Sequence, residues 1–232
     1  MTVAKTNPDT VAEAMSHGRL MDRVYRAQRH IYDATRKYYL LGRDPMLARM
    51  AASQPKTVLE LACGTGRNLV RAAELMPQAS LFGIDISSMM LETARASTGK
   101  RGLARRVHLA QADATNFDTD ALFGHALNDG AQFDAVFISY GLSMIPDWQS
   151  AIDQGWRLTA SGGRLYLVDF GSQAQWPAPA RAALRRWLKA FHVAPRDTLA
   201  ETVHRITGSA PSSMQRGFKD YCLTVTVEKP FL

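Results

Sequence analysis

The chain has 232 residues, of which 46% are hydrophobic and 21% charged, enough for one well-cored α/β domain. No run approaches the ~18 apolar residues of a bilayer-spanning helix, and "MTVAKTNPDTVAEAM" has no apolar stretch like that of a secretory leader. The two cysteines, Cys63 and Cys222, have no metal or disulfide spacing, so a cytoplasmic protein with reduced thiols and no metal is expected.

The net charge of +7 is unevenly spread. Residues 1–50 carry 9 basic against 5 acidic side chains, residues 51–171 carry 10 against 12, and residues 172–232 carry 9 against 4. Basic ends around a mildly acidic middle suit a lipid surface or nucleic acid, or serve solubility alone.

Residues 1–18 are polar. From Arg19 to Tyr39 the apolar positions Leu20, Val24, Ala27, Ile31, Ala34 and Tyr38 fall on one helical face, with Arg19, Arg23, Arg26, His30 and Lys37 as a basic strip beside them. Strands and helices then alternate. "KTVLELA" is a strand and "RNLVRAAELM" a helix; "SLFGIDIS" is a strand and "SMMLETARAST" a helix. "RVHLAQAD" and "FDAVFISYGL" are strands, "DWQSAIDQGWRLT" a helix and "GGRLYLVDFG" the fifth strand. This alternation predicts parallel pairing with right-handed crossovers. "PARAALRRWLKAFHV" and "DTLAETVHRI" read as helices, the second capped by Asp197, and "SSMQRGF" and "KDYCLTVTVEK" as closing strands. The expected division is a lid segment over residues 1–50 and one domain over 51–232, forming a single globular unit.

Within "TVLELACGTGRNLV" two glycines, Gly64 and Gly66, stand where a buried strand becomes a helix. Glycine there lets a nucleotide-like ligand approach the backbone at the strand ends. A dinucleotide would want a third glycine, but that position is Leu69, and Glu60 would face a pyrophosphate badly. No Gly-Lys-Ser/Thr follows, which excludes a P-loop. S-adenosyl-L-methionine has an amino group and ribose hydroxyls but no phosphate. Glu60 then anchors local amides or the amino group, Asp85 at the end of strand 2 accepts the ribose hydroxyls, and Asp113 at the end of strand 3 accepts the adenine amine. A lone strand-end Asp is ordinarily a helix cap; three in register at successive strand ends make the argument.

"ELACGTGRN", "GIDISSMML", "QADAT" and "FDAVFISYGL" resemble the motif series of class I S-adenosylmethionine-dependent methyltransferases over about residues 55–170. The resemblance implies a Rossmann-like, seven-stranded, mostly parallel sheet with an N-terminal helical lid. It implies a cofactor-contact set of Tyr32, Arg43, Glu60, Ala62, Cys63, Gly64, Gly66, Asp85, Ile86, Met90, Asp113, Ala114 and Ser139. Ala62 departs from the family's usual glycine. "MDRVYRAQRHIYDATRKYYLLGRD" and "WLKAFHVAPRDTL" are further similar to the bacterial diacylglyceryl-homoserine N-methyltransferases of betaine-lipid synthesis. This implies three successive N-methylations of a diacylglyceryl-homoserine or similar amino lipid. Phosphatidylethanolamine N-methylation is the alternative, followed by other small-molecule or RNA methylation.

Methyl transfer to an amine asks chiefly for positioning. Tyr32, Ser139, Tyr140 and His192 are the candidate catalytic residues. Tyr38 lies on the apolar stripe and Tyr32 one position off it; aromatic faces of this kind stabilise methylated ammonium. Arg43 either pairs with the methionyl carboxylate or is a surface residue. His30, His192 and His204 are the possible proton acceptors.

Residues 179–192 mix Arg181, Arg185, Arg186 and Lys189 with Leu184, Trp187, Leu188 and Phe191. That composition fits a helix lying in a membrane interface, or a crossover helix with Trp187 and Phe191 in the core. With the basic strip it makes an anionic membrane surface the expected partner and peripheral inner-membrane association the expected location. No Asn/Asp-Pro-Pro-aromatic motif ends strand 4, which argues against nucleic acid.

Overall fold

The computed structural model describes residues 40–128 and 130–231. The helix expected over Arg19–Tyr39, with Tyr32, Tyr38, Tyr39 and His30, lies outside the described residues. So does most of the expected lid, whose division from the domain is therefore open to test only from Leu40 onward.

The chain enters through α1 (Arg43–Ala52) and then builds β1 (Thr57–Leu61), α2 (Arg67–Leu75), β2 (Ser80–Asp85), α3 (Ser88–Gly99), β3 (Val107–Gln111), α4 (Thr119–Phe123), β4 (Phe133–Ser139), α5 (Trp148–Leu158) and β5 (Thr159–Phe170). It closes with α6 (Ala178–Ala190), α7 (Leu199–Thr207), β6 (Ser212–Gly217) and β7 (Cys222–Glu228). The seven strands form one sheet in the order β3-β2-β1-β4-β5-β7-β6. β1 to β5 pair in parallel, and β7 runs antiparallel between β5 and β6. This is the Rossmann-like fold expected from the sequence.

Strand alternation sorts the side chains into two cores. Val58, Ala135, Phe137, Tyr166 and Val168 pack under α1, α2 and α6; Leu59, Leu61, Val136, Ile138, Leu165 and Leu167 pack under α5 and α7. Both faces are covered, which is why the central strands read as nearly continuous apolar runs. Helix starts follow local chemistry: the Ser87 hydroxyl accepts from Met90 N at 3.2 Å to cap α3, and Asp118 and Asp147 cap α4 and α5.

Two differences from the sequence reading have physical causes. α1 and α4 were not anticipated: α1 is short and its burial is spread over Arg43, Met46, Leu47 and Met50, and α4 has only five residues. Asp197 does not cap α7. Its two oxygens are taken by Arg185, at 3.0 and 2.7 Å, and Thr198 precedes the helix instead.

Candidate active site

The strand order reverses between β1 and β4, and in open α/β sheets the ligand crevice lies at such a switch point, outside the carboxyl ends of the strands. After β1 the backbone makes three left-handed steps, at Ala62 (φ 58°), Gly64 (φ 54°) and Gly66 (φ 71°). The two glycines do so at little cost, whereas Ala62 is strained. A Cβ on Gly66 would stand 2.9 Å from the Ala94 Cβ, so this glycine lets α2 pack closely on α3.

Glu60 is buried, and its Oε1 accepts from Asn68 Nδ2 at 2.7 Å, tying the end of β1 to the first turn of α2. Asp85 joins two turns: Oδ2 accepts from Gly64 N at 2.8 Å and Oδ1 from Ser87 N at 2.9 Å. It therefore shapes the crevice as well as offering the remaining lone pairs of its carboxylate to hydroxyls. Asp113 behaves largely as a turn residue, Oδ1 accepting from Thr115 N at 2.9 Å and Thr115 Oγ1 at 2.8 Å. Met90 and Ala114 are buried and Ile86 is half-buried, an apolar set beside these acids. The Cys63 thiol is buried, and burial together with Asp85 and Glu60 holds its pKa well above the ordinary value, which leaves it an inert small hydrophobe.

Ser139 ends β4. Its hydroxyl is buried and has no hydrogen-bond partner among the described residues, the mark of a polar group left for a ligand. Tyr140, with φ 57°, turns its ring back over the sheet, and its hydroxyl donates to Leu41 O at 2.5 Å. Burial pushes that phenol well above its usual pKa. Tyr140 thus clamps the segment before α1. Arg43 is 7% exposed rather than a surface residue, and its Nε donates to Leu40 O at 2.9 Å. His192 is exposed, just beyond α6. His204 lies in the last turn of α7.

The sequence did not reveal what holds the loop after β4. Asp169, fully buried at the end of β5, accepts from Ser143 N at 3.0 Å and Phe170 N at 2.7 Å. From the other side Arg196 donates to Leu142 O at 2.9 Å and Ile145 O at 2.7 Å. Asp169 was visible as a strand-end acid; Arg196, in a loop, gave no signal.

A family model for a methyltransferase domain matches residues 52–215. The chain belongs to this methyltransferase family. A demethylmenaquinone methyltransferase of Deinococcus radiodurans is 27% identical over 82% of this chain and 75% of its own length. Further demethylmenaquinone methyltransferases are matched over only about 60% of their length. Among solved structures, an O-methyltransferase family protein from Burkholderia thailandensis superposes with a TM-score of 0.69 at 17% identity, covering 89% of this chain and 60% of that one. The plantazolicin methyltransferase BpumL, solved with S-adenosylhomocysteine (SAH), superposes at 0.65 and 14% identity over 96% and 98%. Likeness at such identities shows the fold. Together with the family it makes the protein an S-adenosylmethionine-dependent methyltransferase, and the crevice residues fit that cofactor: acids at the ends of β1 and β2, a glycine turn between β1 and α2, and an unpartnered hydroxyl at the end of β4. Among the described residues no helix is long and apolar enough to cross a membrane, and no cluster of metal-binding side chains occurs.

Proposed function

We propose that this methyltransferase N-methylates the headgroup amine of a membrane lipid, diacylglyceryl-homoserine being the first candidate. The observation that carries the reading is α6. Of its thirteen residues only Leu188 is buried; Trp187 is 41% exposed, and Arg186 and Lys189 stand exposed beside it. At its end Phe191 packs with Met90 and Met144, next to the crevice. A helix with exposed basic and aromatic side chains, adjoining the site, suits an acceptor presented at an anionic interface.

Bound cofactor would supply a sulfonium-activated methyl. The acceptor amine would have to be held neutral and in line with it, its proton passing to water in the first two of the three methylations. The protein's part is to hold the reactants. Asp85 fixes the glycine turn, Ser139 offers a hydroxyl at the end of β4, and Asp169 and Arg196 fix the loop beside it. Positioning of this kind supplies most of the acceleration for an already reactive electrophile.

A second reading is supported by the names of the relatives: methylation of a demethylmenaquinone, also a lipid-soluble acceptor but one attacked through ring carbon. The test is incubation with methyl-labelled cofactor and vesicles containing diacylglyceryl-homoserine, phosphatidylethanolamine or demethylmenaquinone, followed by separation of labelled lipids. Label in the mono-, di- and trimethylated homoserine lipid is expected. Label only in menaquinone would replace the first reading by the second. Bound cofactor with no labelled product from any of the three lipids would reject both readings of the acceptor.

A further inference from the structure

At the opposite end of the sheet from the crevice, a cleft of about 440 Å³ opens between the last turn of α1 and the β5-β7-β6 edge. Its floor is a row across three strands, since Tyr166 pairs with Thr226 and Thr226 with Ser213. Its wall is Arg49 and Ser53 of the α1 end. β7 alternates strictly here: Leu223, Val225 and Val227 enter the core under α7, while Thr224, Thr226 and Glu228 face the α1 side. The polar face is not merely a wet sheet edge, because Tyr166 is 1% and Thr226 9% exposed.

Two features call for a ligand. The Thr226 hydroxyl is buried without a hydrogen-bond partner among the described residues. Arg49 donates to the Gln215 side-chain oxygen and has no carboxylate partner among the described residues. By contrast Arg164, two residues before Tyr166 on β5 and paired in register with Glu228, is held twice by that carboxylate, at 3.0 and 2.7 Å. The cleft thus presents a guanidinium with no carboxylate partner among the described residues and the hydroxyls of Ser213 and Thr226, while Ser53 Oγ is already committed to Met50 O at 2.7 Å and lies 3.3 Å from the Tyr166 hydroxyl. A flat carboxylate would use the guanidinium fork alone. A tetrahedral oxyanion, with acceptors pointing in several directions, uses the fork and the hydroxyls together.

We propose that this cleft is a second ligand site, separate from the cofactor crevice, that takes a phosphate monoester through Arg49 and the hydroxyl floor. The ester is either a free metabolite or the headgroup of a lipid. The experiment is a thermal-shift titration of the full-length protein with sn-glycerol 3-phosphate, with sodium chloride matched in ionic strength as control, and flotation with phosphatidate-containing vesicles. A saturable rise in Tm with the soluble ester is expected for a free metabolite, and Arg49-dependent flotation with phosphatidate alone for a lipid headgroup. Arg49→Gln should abolish whichever signal is seen, and Thr226→Val, an isosteric change that removes the unpartnered hydroxyl, should weaken it several-fold. Both variants should keep the wild-type Tm shift with SAH, which shows the fold and the cofactor site intact. An equal shift from sodium chloride, an undiminished response in Arg49→Gln, or no response to either phosphate probe would overturn the proposal.

Discussion

Asp169 allows a prediction whose sign and size both come from its surroundings. It is fully buried, and burial raises its pKa from an ordinary carboxylate value to about 6, against the opposing pull of two backbone N–H donors and the Arg196 charge. The unfolded chain titrates near 4, so between about pH 4 and 6 the native state holds the extra proton. Stability from this group is complete below pH 4 and is lost as pH rises through 6. A shift of about 2 units corresponds to ~3 kcal/mol at 1.36 kcal/mol per unit. Asp169→Asn cannot titrate, so the difference in unfolding free energy between wild type and variant should fall by up to that amount from pH 4 to pH 7. Other carboxylates cancel in the difference. The variant also places an amide N–H₂ against one of the two backbone donors, which should loosen the loop at Ser143 and raise the acceptor KM more than it weakens SAH binding. Urea denaturation at half-unit pH intervals measures the first effect. Parallel curves for the two proteins across pH 4–7 would show that Asp169 titrates normally and would refute the reasoning.

Three other outcomes are expected. Asp85→Asn loses a charged acceptor for either Gly64 N or Ser87 N as well as for ribose, so SAH affinity should drop by at least tenfold, in line with ~1.5–3 kcal/mol for such a bond; unchanged affinity by calorimetry in a folded variant would remove the ribose assignment. Ala62→Gly relieves a left-handed alanine at φ 58° and should raise stability by up to ~1 kcal/mol, the αL cost exceeding the added chain entropy; a clear loss in denaturant midpoint would mean that the Ala62 Cβ contact beside Gly141 outweighs the strain. Arg186→Ser with Lys189→Ser should weaken flotation on phosphatidylglycerol vesicles at low salt and leave SAH binding alone, and wild-type binding should itself fade as salt rises; no vesicle binding by the wild type at low salt would reject the interfacial role of α6.

The parallel half of the fold was legible because its strands are covered on both faces and its helices carry their caps in the sequence. Asp85 and Glu60 were legible for a related reason: a carboxylate at the end of an apolar strand has few uses. What escaped was tertiary. Arg185 reads as one of four cations on an interfacial helix, yet its guanidinium is committed to Asp197, with the Ser172 carbonyl also within reach, so it staples α6 to the segment before α7. No sequence period links positions 185 and 197. Gly66 reads as a cofactor glycine, yet the contact that forbids a side chain there is with Ala94, on the next helix. Tyr140 reads as catalytic because it follows the strand end where acceptors sit, yet its positive φ swings the ring back towards Leu41. In each case the residue type announced chemistry, and a partner distant in sequence decided which chemistry. The same logic bears on α6: with Arg185 committed to Asp197, the cations left for an interface are Arg181, Arg186 and Lys189, which is why the vesicle test is placed on Arg186 and Lys189 and leaves the staple intact.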